Sequence, residues 1–275
     1  MRNIVALGVA GLLCFSGSPA AVVPYARAPR PVVLASKPTA YRLRTVVLDA
    51  GHGGKDRGCA GLKAREADVA LKIILALGKE IEENLPDVKV VYTRKTDVFV
   101  ELADRAAIAN RHNADLFVSV HCNAASPDAH GTEVWTMGPH KTDANLAVAK
   151  RENAVILQEE NYKERYNGFD PTSPQSHILF SLFQSAHMVN SIRFAQKVDR
   201  QFRTTVKRPS RGVKQAGFLV LWKSTMPSVL IESGFLTNRA EERYLNDKTN
   251  QSYMASGIYR AFRDYKNELE AMNGE

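Results

Sequence analysis

The chain has 275 residues, 44% of them hydrophobic and 24% charged, with a formal net charge of +8. That is the composition of a folded domain with a sizeable core, and it excludes a disordered or low-complexity chain. The positive balance favours anionic surroundings such as a wall polymer, lipid head groups or nucleic acid. No Lys/Arg block with interleaved aromatics stands out, so nucleic acid is not expected as a partner.

Residues 1–21 join a basic start at Arg2, an apolar run over 4–15 and small residues from Ser16 to Ala21. This is the pattern of a secretory signal peptide, too short to remain in a membrane as a spanning helix. It implies a secreted, periplasmic protein. Residues 22–41 carry Pro24, Pro29, Pro31 and Pro38 among basic residues and read as an extended linker. No later stretch reads as a transmembrane segment. Cys14 falls in the leader, and Cys59 and Cys122 are expected as buried free thiols, with a disulfide between them as the alternative.

Residues 45–48 form a short β-branched, apolar strand that runs through Asp49 into a Gly-rich loop carrying His52. Residues 66–84 place Val69, Ile73, Leu77 and Ile81 on one helix face. A strand over 88–92, a helix over 101–112, a strand over 116–120 ending at His121 and a strand over 132–136 follow. Residues 138–190 break the rhythm: 141–162 are helical in pattern and 166–174 are rich in turn residues. So long a connection predicts an inserted helical segment with a regulatory or substrate-binding role. A helix over 189–205, strands over 218–221 and 229–231, and helices over 240–245 and 253–269 close the chain. The order predicts an α/β fold: a single domain over residues 42–269, built on a twisted, mainly parallel sheet flanked by helices.

Three strands therefore end in His52, His121 and Glu232, and Glu66 opens the helix after the first loop. Open α/β sheets bind ligands at the carboxyl ends of their strands. A catalytic zinc usually takes three His or Asp/Glu ligands and keeps one position open. His52, Glu66 and His121 can supply them, with Asp68 the near rival of Glu66, and Glu232 can serve as general base and then acid. His112, His130, His140, His177 and His187 have no paired signal and read mostly as surface residues.

The segments DAGHGGKDRG, KAREADVALKI, SVHCNA and VLIESGFLTN, in that order and spacing, resemble the motifs of the zinc-dependent N-acetylmuramoyl-L-alanine amidases. Residues 211–214 and 218–221 resemble the segment ahead of that family's catalytic Glu, and the likeness spans about residues 44–263. The resemblance implies zinc on His52, Glu66 and His121, and Glu232 as the catalytic acid/base. It implies hydrolysis of the amide between N-acetylmuramic acid and L-alanine in peptidoglycan, during wall turnover and daughter-cell separation. Cys122 stands where many relatives have Ala, a small apolar exchange, and the reading finds no separate wall-targeting module. Two competing readings are a wall-binding or regulatory protein on an inactive amidase scaffold, and a zinc peptidase cutting within the stem peptide.

In relatives that separate daughter cells, an inserted helix closes over the metal and an acidic residue on it takes the open position until a partner protein removes it. Residues 150–154 resemble the start of that helix. Glu152 is then the expected autoinhibitory zinc ligand, ahead of Glu159 and Glu160, and an activator protein the expected partner. The alternative is a solvated helix on which Glu152 faces water.

Overall fold

The computed structural model describes residues 41–181 and 186–272. The predicted leader and all of the predicted linker except Tyr41 lie outside the described residues. In chain order the elements are β1 (Thr45–Ala50), α1 (Glu66–Asn84), β2 (Lys89–Tyr92), α2 (Leu102–Arg111), β3 (Leu116–Asn123) and β4 (Thr132–Met137). Next come α3 (Asp143–Asn153), a 3-10 turn (Ala154–Gln158), α4 (Tyr162–Arg165), α5 (Pro174–Ser181), α6 (Met188–Gln201) and a π turn (Phe202–Val206). The chain then forms β5 (Ser210–Ala216), α7 (Leu219–Trp222), β6 (Ser228–Phe235), α8 (Arg239–Leu245) and α9 (Lys248–Met272).

The six strands form one sheet in the order β2-β1-β3-β6-β4-β5. β2, β1, β3 and β6 run parallel, β4 opposes β6, and β5 lies parallel to β4 at the edge. The sheet is mainly parallel, as its alternation with helices predicts. Side chains alternate faces along each strand. Val46, Leu48, Val118, Val120 and Ile231 face a layer made by α1, α6 and α9, where Ile73, Leu77, Phe194, Val198, Ile258 and Phe262 are fully or almost fully buried. Val47, Phe117, Trp135 and Leu230 face the other layer, built from α2, α7 and the insert, with Phe169, Phe180 and Phe218. Burying one such side chain contributes about 1.5–3 kcal/mol, and burial on both faces is why β1, β3 and β6 read as unbroken apolar runs.

Three expectations are corrected. Residues 218–221 are not a strand: Leu219–Trp222 is one helical turn, and Leu219 N–H donates to the Asn153 side chain. A four-residue apolar run carries no period that separates the two states. The strand there is β5, whose Arg211, Lys214 and Gln215 mark it as a polar edge. The long helix expected over 141–162 ends at Asn153 and passes into the 3-10 turn. Residues 150–154 are accordingly the end of a helix and not its start.

Candidate metal centre

Two strand ends set the frame. His121 on β3 and Glu232 on β6 are paired residues of adjacent parallel strands, so their side chains share a face. The register shifts between His121 and Asn123, an irregularity of the kind that re-aims side chains beside active sites. β1 delivers His52 through a loop in which His52 itself has a left-handed φ of 58°. Arg105 and Arg94 hold that loop through its backbone: Arg105 donates to the carbonyls of Ala50 and His52, and Arg94 to those of Ala50 and Gly51.

The side chains of His52, Glu66, His121 and Glu152 converge, and one donor atom from each lies within 4.8 Å of all the others. His52 Nε2 is 3.0 Å from Glu66 Oε1 and 3.3 Å from Glu152 Oε2, and His121 Nδ1 is 3.0 and 3.1 Å from the same two oxygens. Glu66 is fixed by backbone donors, Oε1 accepting from Cys122 N–H and Oε2 from Cys59 N–H. His52 turns Nδ1 away from the cluster to Asp56, 2.7 Å distant, the outer partner that orients a ligating histidine. Small residues make the room. A Cβ on Gly51 would meet the His121 ring at 2.4 Å, and one on Gly58, where φ is +65°, would meet Glu66 Oε2 at 2.6 Å.

This donor set fits a divalent cation. Two imidazoles and two carboxylates meet in a buried space, with Glu152 Oε2 turned toward both ring nitrogens. Positive charge is strongly favoured. Burial opposes a proton on His121, yet Glu152 and Glu66 carry its pKa up to about 9. His52 is likewise raised, burial being outweighed by Glu66, Asp56 and Glu152. Cys59 and Cys122 are free, and burial pushes both thiols up, which keeps them protonated and outside the donor set.

Glu232 is fully buried beside this cluster. Its Oε1 is 3.3 Å from Arg151 Nη2, and among the described residues Oε2 has no hydrogen-bond partner. Burial and the nearby Glu152 charge push the Glu232 carboxyl well above the usual carboxylate range, the direction required of a group that holds and returns a proton near neutral pH. Arg151 bridges the two acids, contacting Glu152 Oε1 at 2.8 Å and donating to the Ala124 carbonyl.

All five residues singled out from the sequence thus lie together. Asp68 pairs with Arg65 and stays out of the site. Glu159 binds Leu102 N–H and Tyr166 Oη at the start of α2, and Glu160 is exposed. His177 is not a surface residue: it is buried, donates Nε2–H to the Pro171 carbonyl and packs on Phe169. The sequence reading missed Asp56, Arg105 and Arg151. An acid four residues after a loop histidine was the available sign of Asp56; the two arginines had none.

The sequence model of the family described as N-acetylmuramoyl-L-alanine amidase matches residues 46–264. The chain is 33% identical over 232 residues to the Escherichia coli amidase AmiA, covering 81% of this chain and 77% of that one. It is 33% identical over 224 residues to an Escherichia coli amidase AmiC, covering 80% of this chain and about half, 52%, of the relative. Among solved structures, an N-acetylmuramoyl-L-alanine amidase from Clostridium difficile aligns with a TM-score of 0.62 at 28% identity, over 82% of this chain and 98% of that one.

Proposed function

Since the chain belongs to the N-acetylmuramoyl-L-alanine amidase family, we propose that it hydrolyses the amide joining the lactyl group of N-acetylmuramic acid to the L-alanine of the peptidoglycan stem peptide. The carrying observation is the pairing of His121 with Glu232 on neighbouring strands, beside the four-donor cluster, with the buried Glu232 Oε2 lacking a hydrogen-bond partner among the described residues.

His52, Glu66 and His121 would hold one zinc ion, which when bound supplies Lewis acidity toward the amide carbonyl. Glu232 Oε2 takes the proton of the attacking water, and the same carboxyl returns a proton to the departing alanine nitrogen. The second transfer is needed because an amine anion is too poor a leaving group. Burial keeps bulk water from competing for that proton, and Glu232 Oε1 stays within reach of Arg151. Glu66, pinned by two backbone N–H groups, and His52, oriented by Asp56, keep the ligand geometry fixed.

Glu152 acts as a blocking ligand. Its carboxylate contacts both histidines and is tied to Arg151, so the end of α3 closes the position that substrate needs. An activator protein that draws α3 away would open it. The leader pattern supports secretion to the periplasm and a role in wall turnover and daughter-cell separation.

The test is digestion of purified peptidoglycan with zinc-loaded protein, with and without Glu152→Ala, followed by mass spectrometry. Muramic acid freed of peptide together with intact stem peptides is the expected result. Cuts within the stem peptide would replace the amidase reading with a peptidase, and no cut by either protein would leave a wall-binding scaffold.

A further inference from the structure

A second feature adjoins the metal cluster without belonging to it. Where β3 and β6 leave the site they continue side by side: Leu236 N–H donates to the Asn123 carbonyl and Ala125 N–H to the Thr237 hydroxyl. These continuations help line an open cleft of about 850 Å³, together with residues 60–62, Pro127 and α8. One end of the cleft is tied to the site, since residues 59–66 form the loop that carries Cys59 to Glu66, and Ala124 holds Arg151.

The cleft has a definite chemistry. Arg239 and Arg243 line it from α8, and at i and i+4 they lie on one helix face. Both are exposed, and among the described residues neither has a hydrogen-bond or ion-pair partner. The acidic residue in the lining, Glu242, is already engaged by the backbone N–H groups of Lys63 and Ala64, which outweigh its burial and hold its carboxyl below the usual range. Leu62, 74% exposed, provides apolar surface. Among the described residues no aromatic side chain lines the cleft, so they offer no ring on which the face of a sugar could stack.

We infer that this cleft binds the stem peptide on the alanine side of the scissile amide, with Arg239 and Arg243 pairing the carboxylates of its acidic residues. The inference rests on the amidase reading for the identity of the ligand. A stem peptide follows alanine with a γ-linked glutamate and a diamino acid, and so presents free carboxylates to two unpaired guanidinium groups. A wall glycan would present hydroxyls and amides instead.

The decisive measurement is calorimetric binding to the full chain, which needs no turnover and is therefore independent of cleavage. The probes are the tripeptide L-Ala-γ-D-Glu-meso-diaminopimelate, the same tripeptide with its carboxylates amidated, and a β-linked tetramer of N-acetylglucosamine. The acidic tripeptide should bind, and the amidated one should bind more weakly. R239A/R243A should weaken tripeptide binding about tenfold, as the loss of two rim ion pairs would, whereas R239K/R243K should retain most of it. Absence of tripeptide binding, equal binding of the acidic and amidated forms, or an unchanged R239A/R243A would overturn the assignment. So would glycan binding that the double substitution abolishes. If peptidoglycan digestion gave no muramoyl–alanine cleavage while the tripeptide still bound as described, the amidase reading would fall and the peptide cleft would stand.

Discussion

Arg105 Nη2 lies 2.8 Å from the carbonyl oxygen of His52 and donates to it. The same guanidinium reaches Asp49 Oδ1 at 2.8 Å and the Ala50 carbonyl at 2.7 Å, while only 1% exposed. His52 needs such a hold because a non-glycine residue at positive φ stores about 1–3 kcal/mol of strain. We expect Arg105→Lys, which keeps the charge and loses the planar fork, to weaken zinc affinity about 10–100-fold, as outer-sphere partners typically do. Chelator competition measures the affinity, and circular dichroism shows whether the variant is folded. A folded Arg105→Lys with unchanged affinity would reduce Arg105 to a support of the sheet.

Metal binding should depend on His121 more than on either cysteine. His121→Ala removes one of the two imidazoles, and elemental analysis should find metal largely lost. Cys122→Ala should leave it bound, because the Cys122 contribution is its backbone N–H to Glu66 Oε1. Full metal content in His121→Ala would remove the donor assignment.

What could be read from the sequence was whatever lies at the end of a buried strand. His52, His121 and Glu232 each follow an apolar run, and the parallel sheet brings such ends to one edge. Glu66 was legible from its place at the head of a helix with a clear apolar face. Arg151 was not, because its role comes from where α3 ends, and the charged pattern over 141–162 gives no stop at Asn153. β5 escaped notice for the opposite reason: an edge strand carries charge and hides its period. His177 looked like one more loop histidine, since its burial by Phe169 depends on the path of the insert.

Glu232→Gln tests the proton-transfer role. The amide keeps the shape and cannot take a proton from water, so hydrolysis should fall about 10²–10⁴-fold. Zinc content and thermal unfolding should stay near wild type, because Arg151 keeps its contact with Glu152. Wall digestion within a few-fold of wild type would show that Glu232 is not the acid/base.

Asp49 sets an acid limit on stability. Burial pushes its carboxyl up, but the Arg105 charge and hydrogen bonds from Ser119 and Thr93 prevail and hold it below its ordinary value. A group whose pKa is depressed on folding stabilises the protein fully above the unfolded pKa, about 3.9 for Asp. That contribution is lost as pH falls below this value through the folded pKa. Urea unfolding measured between about pH 3 and 7 should therefore show stability declining at the acid end. Asp49→Asn should be less stable at pH 7, by about 3–5 kcal/mol if Arg105 is left uncompensated, and its acid decline should be shallower. An Asp49→Asn profile parallel to wild type would place the acid sensitivity elsewhere.

Glu152 decides whether the described state is a resting one. Its carboxylate is 4% exposed, contacts both candidate histidine ligands and is held by Arg151, which also reaches Glu232. Two acids and one guanidinium thus share the space that the proposed reaction would need for substrate and its attacking water. On the blocking reading, replacing Glu152 with Ala removes a donor that would compete with substrate while leaving His52, Glu66 and His121 in place. It also removes the negative charge that, after burial, contributes most to raising the Glu232 carboxyl. Basal hydrolysis of purified peptidoglycan should rise, and the acid limb of its pH profile should move to lower pH as Glu232 becomes easier to ionise. Arg151→Ala should raise activity less, since it frees Glu152 without deleting it. A wild-type chain that is fully active alone, and unchanged by Glu152→Ala, would make the insert a substrate-binding element instead of a block.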